Sequence, residues 1–142
     1  MQRRTGTEYM RKIDFVFYHE REIREAIQDA RENGGKRSVH RKNHISDPTA
    51  AEAIRNVTPL RSVRVHGSSL EWPEHWLRVI DAVYAWCDND RLVVAKDRYR
   101  NEDYRCTCAK LNISEAKYYK LFKDVRRYAA LCAVQLGVVK VC

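Results

Sequence analysis

An all-α fold is expected for this chain, and three observations predict it. Only five Gly and three Pro interrupt its 142 residues. The balance of 44% hydrophobic and 32% charged residues suits a soluble, helix-rich protein better than a disordered chain or a β-sandwich. Apolar residues recur mostly at three- and four-residue steps, the period of a helix with one buried face. The length allows one domain with a real core, or a small domain with an extended appendage, but not two full domains.

Thr7 to Asn33 reads as one long helix, with Thr7 as a capping residue. Met10, Ile13, Val16, Phe17, Ile23, Ile27 and Ala30 form its apolar stripe, and Arg11, Glu22, Arg24, Glu25 and Arg31 its polar face. Such a stripe needs a partner, either the rest of the chain or a second copy, so a homo-oligomer through this helix is one expected arrangement. Gly34 and Gly35 are expected to end the helix. Residues 34 to 46 then read as a basic linker, in which Lys36, Arg37, Arg41 and Lys42 either contact phosphates or form a solvated hinge. His40 and His44 stand four apart in it, but no Cys or carboxylate pattern accompanies them, and no metal centre is expected. The expected organisation is therefore residues 1–46 as helix and linker, and residues 47–142 as a helical domain.

Asp47-Pro48 has the form of a cap followed by a first-turn proline and predicts a short helix through Ala50, Ala51, Ala53 and Ile54. Thr58-Pro59 breaks it. The loose alternation of Val63 and Val65 before Gly67-Ser68-Ser69 predicts a short strand or a plain loop. Pro73 opens the next helix, whose inner face carries Trp76, Val79, Ile80, Val83 and Cys87. After Asn89-Asp90 another helix follows, with Leu92, Val93, Ala95 and Tyr99 inward and Lys96, Arg98 and Arg100 outward.

The formal net charge is +8, which draws polyanions to the surface before any specific contact forms. The five Cys lack paired metal-ligand spacing, since Cys106 and Cys108 enclose one residue rather than two. Reduced thiols on apolar stripes fit a reducing cytoplasm. Neither a signal peptide nor a membrane-spanning stretch is expected. The carboxylates Asp88, Asp90, Glu102 and Asp103 are scattered near helix ends, where capping accounts for them, so neither a catalytic site nor a cofactor is expected.

Residues 101 to 127 carry the most informative pattern, a short helix, a tight turn and a long basic helix. A helix-turn-helix needs a small residue at the close crossing, then a large apolar residue, a turn, another apolar residue and a capping hydroxyl. Cys108, Leu111, Asn112, Ile113 and Ser114 supply these in order. Asn can take the left-handed conformation of the turn, and Ser is a good cap. Tyr118, Leu121, Phe122 and Val125 are expected inside the second helix. Glu115, Lys117, Tyr119 and Lys120, on its first turns, are the expected readers of base edges in duplex DNA. Ser114, Lys123, Arg126 and Arg127 are the expected phosphate contacts. The competing reading is a plain helical hairpin with a solvated basic face.

The chain resembles phage-encoded late-transcription regulators of the ArpU and RinA type, whose C-terminal part is similar to the fourth region of bacterial sigma factors. Ser46-Asp47-Pro48-Thr49-Ala50, the helix ending at Tyr99, and Leu111-Asn112-Ile113-Ser114 with Tyr118-Tyr119-Lys120 carry the resemblance. It implies a sequence-specific activator of late phage or prophage genes, acting with host RNA polymerase in the bacterial cytoplasm. By the same match Ser114, Lys117, Tyr119 and Lys120 begin the recognition helix. Thr107-Cys108 departs from the Ile-Ala pair more usual there. A DNA-packaging protein similar to a small terminase subunit is the alternative, since it too joins such a motif to long helices.

Overall fold

A computed structural model describes residues 2–37 and 58–139. It is mostly helical, with one two-stranded hairpin: α1 (Gln2–Tyr18), α2 (Glu20–Arg37), β1 (Ser62–Val65), β2 (Ser68–Glu71), α3 (Pro73–Trp86), α4 (Asn89–Tyr99), α5 (Tyr104–Leu111) and α6 (Glu115–Gln135). The packing divides the chain into two compact units, residues 1–18 with 78–142, and residues 19–77. The boundary expected at residue 46 lies outside the described residues.

The single long N-terminal helix is replaced by two helices that meet at His19. Ile13, Val16 and Phe17 are buried on α1, and the next fully buried residue is Ile23. Ile23 follows Val16 by seven residues, two helical turns, so the apolar period by itself continues through the junction. The His19 carbonyl accepts the Ile23 N–H at 2.9 Å, the first helical bond of α2. Nor do Gly34 and Gly35 stop α2, which continues to Arg37. Glycine costs only about 1 kcal/mol in a helix, a penalty that two residues in a last turn do not make prohibitive. Lys36 and Arg37 thus end a helix rather than begin a linker. Arg41, Lys42 and the helix expected from Asp47 lie outside the described residues.

In the unit of residues 19–77, the stretch left open between strand and loop is a hairpin. Val63 pairs with Leu70 and Val65 with Ser68 in antiparallel register. Val63, Val65 and Leu70 are buried while their neighbours are exposed, the two-residue alternation of a half-covered sheet. His66 and Gly67 form its two-residue turn with φ of 49° and 77°, the left-handed pair that matches strand twist. The hairpin packs against α2 through β1. Near it, Glu74 accepts from Arg31 at 2.6 Å and from the Leu60 N–H at 2.9 Å.

In the other unit, Val79, Ile80 and Val83 of α3 are fully buried. Phe17 of α1 stacks on Tyr99 of α4 at 5.1 Å and meets Tyr84 edge-on at 5.6 Å. On α4 the inward residues are Val94, Ala95, Asp97 and Tyr99 rather than Leu92 and Val93, which are only half-buried. Lys96 and Arg98, expected outside, lie along the rings of Tyr84 and Phe122 at 5.4 Å each, covering aromatic surface with their stems and charge. Among the described residues no helix is long and apolar enough to cross a membrane.

Candidate functional site

α5 and α6 are held as a pair by local chemistry the sequence spells out. Asp103 caps α5 by accepting the Arg105 N–H. Asn112 ends it at φ 54° and ψ 51°, in the left-handed region, and the Ile113 N–H returns to the Cys108 carbonyl at 3.0 Å. Ser114 then caps α6, its hydroxyl accepting the Lys117 N–H at 3.1 Å. Val94, Tyr118 and Leu121 form the buried cluster that fixes the angle of the pair, with Tyr104, Cys108, Leu111, Ile113 and Phe122 packed around it. Cys108 serves as the small residue of the crossing, its thiol directed to the Ser114 carbonyl at 3.8 Å.

The turn residue can be tested alone. Asn112→Ala should cost roughly 1–2 kcal/mol in chemical denaturation, because a side chain without local hydrogen bonding gains nothing in the left-handed region. Asn112→Gly should stay within about 0.5 kcal/mol of the parent. Equal losses in both would mean the Asn side chain, and not the backbone geometry, holds the turn.

Thr107 is fully buried, with Asp97 of α4 only 7% exposed beside it. The Asp97 carboxylate accepts from the Thr107 hydroxyl at 2.9 Å and from Lys110 Nζ at 3.0 Å. The residue that departs from the Ile-Ala pattern is thus the hydroxyl that satisfies a buried acid. The signal was present in the sequence, an Asp on the inner face of α4 ten residues before an inward Thr, but periodicity gives no reason to couple them.

The outward side of α6 presents Lys117, Lys120, Lys123 and Arg127, all exposed. Among the described residues none of the four forms an ion pair. Their spacing of three, three and four residues puts them along one face. Ser114 and Glu115 are exposed at the start of this face, and Tyr119 is 44% exposed beside it. Tyr119 meets Tyr118 edge-on at 5.3 Å and lies 6.1 Å from Tyr104, whose ring carries Arg105 at 5.8 Å. An aromatic and cationic surface thus adjoins the basic stripe.

Arg126, expected to contact phosphate, is directed inward instead. Its guanidinium donates to Asp14 Oδ2 of α1 at 2.9 Å and lies 5.7 Å from the Phe122 ring. The Tyr99 hydroxyl donates to the other oxygen of Asp14 at 2.9 Å, and burial beside that carboxylate pushes the Tyr99 pKa well above its ordinary value. Arg126 follows Val125 on the side of α6 that faces α1, which the three- and four-residue pattern alone does not reveal. Arg91 ties α4 to α6 in the same manner, donating to Asp88 at 2.6 Å and Asp124 at 3.0 Å. Asp88 also caps α4. Both Asp88 and Asp103 thus have structural duties at helix starts.

Compared with known proteins, the chain matches no family model, no curated protein and no solved structure.

Proposed function

We propose that the protein is a sequence-specific binder of double-stranded DNA that regulates transcription, with α5 and α6 as a helix-turn-helix and α6 as its recognition helix. The observation that carries this reading is the exposed basic face of Lys117, Lys120, Lys123 and Arg127, without ion pairs among the described residues, set immediately after a left-handed turn and a hydroxyl cap. Side chains with carboxylate partners would have to give them up to meet phosphates. These four do not, so the full charge is available for counterion release on binding. Ser114, Glu115, Lys117, Tyr119 and Lys120 occupy the first turns, the part of a recognition helix that meets base edges. Lys123 and Arg127, farther along, suit phosphates. Arg126 leaves the contact set and becomes the anchor that holds α6 against α1.

The resemblance to late-transcription regulators of the ArpU and RinA type supplies the biological setting, activation of phage or prophage late genes with host RNA polymerase. Selection of bound duplexes from a random pool by the purified chain, read with its mass in solution, tests the proposal. Enrichment of a palindrome with a dimeric mass would make the protein a symmetric regulator. An asymmetric site with a monomeric mass would suit a sigma-like mode on a promoter. Failure to enrich any sequence would overturn the specific-binding reading.

A further inference from the structure

His19, Glu22 and His66 converge within the unit of residues 19–77, with one ligand atom from each lying within 4.8 Å of the others. His19 stands at the junction that starts α2, Glu22 follows on the first turn of that helix, and His66 occupies the hairpin turn. His19 Nδ1 is 3.1 Å from Glu22 Oε1, and His66 Nδ1 is 3.8 Å from Glu22 Oε2. The two imidazoles stack at 4.8 Å with 25° between their planes. We infer that these three side chains form a binding site for a divalent ion of the zinc class, a site independent of the basic face of α6.

The donor set and its spacing support the inference together. Two neutral imidazoles and one carboxylate are nitrogen and oxygen ligands that zinc favours, and three protein donors leave a position for water. Around a tetrahedral zinc with bonds of about 2.0–2.1 Å, neighbouring donor atoms lie roughly 3.3 Å apart. The 3.1 and 3.8 Å separations bracket that distance, and on binding the two stacked rings must turn out of their stack to aim both nitrogens at one ion. Glu22 is 48% and His66 69% exposed at the side chain, which gives the ion a path from solvent.

The backbone at His66 adds a second observation. Its φ of 49° lies in the left-handed region, where Asn or Gly is the easier choice in a two-residue hairpin turn. His, like Asn, is enriched among the non-glycine residues found there, and this one holds its ring against that of His19. An ion bound by all three would link the start of α2 to the hairpin turn and oppose their separation on unfolding. Sequence spacing drew attention to His40 and His44 instead, because Glu22 and His66 are brought together only by the packing of β1 against α2.

The test uses the full chain, stripped with chelator and titrated with zinc by calorimetry and with cobalt(II) by absorption. The inference expects one equivalent of cobalt with ligand-field bands and no thiolate charge-transfer band, together with a Tm that rises with zinc. His66→Asn keeps a residue that tolerates the turn, so the metal-free protein should stay folded. The substitution should weaken binding roughly tenfold or more, at least the loss seen when a mere supporting partner of a ligand is removed. Glu22→Gln should do the same. Wild-type affinity in both variants, a cobalt spectrum dominated by thiolate charge transfer, or no binding at millimolar metal would each overturn the site.

Discussion

Replacing Lys117, Lys120 and Lys123 together by alanine is expected to lower duplex DNA affinity about 100-fold at moderate salt, on the basis of roughly 1 kcal/mol per lost contact. The dependence of log K on log salt should become shallower by about 1, the share of Lys123, the one of the three placed at phosphate. Fluorescence anisotropy at several salt concentrations reads both quantities. The substitution should not unfold the protein, since all three side chains are exposed and, among the described residues, outside any ion pair, and alanine favours helix. Arg126→Ala makes a contrast: it removes the anchor to Asp14 and should lower Tm, with little effect on the salt slope of the folded fraction. Unchanged affinity and slope in the triple variant would remove α6 from the interface.

The second large effect belongs to the buried acid. Thr107→Val keeps the shape of a fully buried side chain but takes one of two donors from Asp97. A lost hydrogen bond to a charged group should cost about 1.5–3 kcal/mol, seen as a Tm several degrees lower. DNA affinity per folded molecule should not change, because Thr107 does not reach the exposed side of α6. Changing Asp97→Leu in the same chain should recover much of the loss, since removing both partners leaves no charge in need of a donor. If the double variant is simply the sum of its single losses, the pair is not a coupled unit.

Both effects involve residues whose types were legible but whose partners were not. Asn112 and Ser114 could be placed in the turn and cap because each acts on backbone groups one to three residues away. Pro73, Asp88 and Asp103 at helix starts belong to the same local class. The inner face of α6, with Tyr118, Leu121 and Val125, followed from the helical period alone. Arg126 is expected among the phosphate contacts yet pairs with Asp14, because the same period cannot tell an outward cation from one that meets an acid more than a hundred residues earlier.

The N-terminal segment shows the same limit. Its apolar residues read as one stripe, with Ile23 a heptad after Val16. Nothing in that period marks a break at His19, and the division into two helices of different compact units depends on which neighbours their residues find. The convergence of His19, Glu22 and His66 depends in turn on the pairing of a hairpin with α2.

From the sequence alone came the helical class, the positions of caps and turns, and a basic helix after a left-handed turn, because each rests on chemistry between near neighbours along the chain. Tertiary structure alone decided which charges on that helix stay free, which acid Thr107 satisfies, and where the long N-terminal helix divides. Those outcomes are set by contacts between residues distant in sequence, which local propensity and period do not encode.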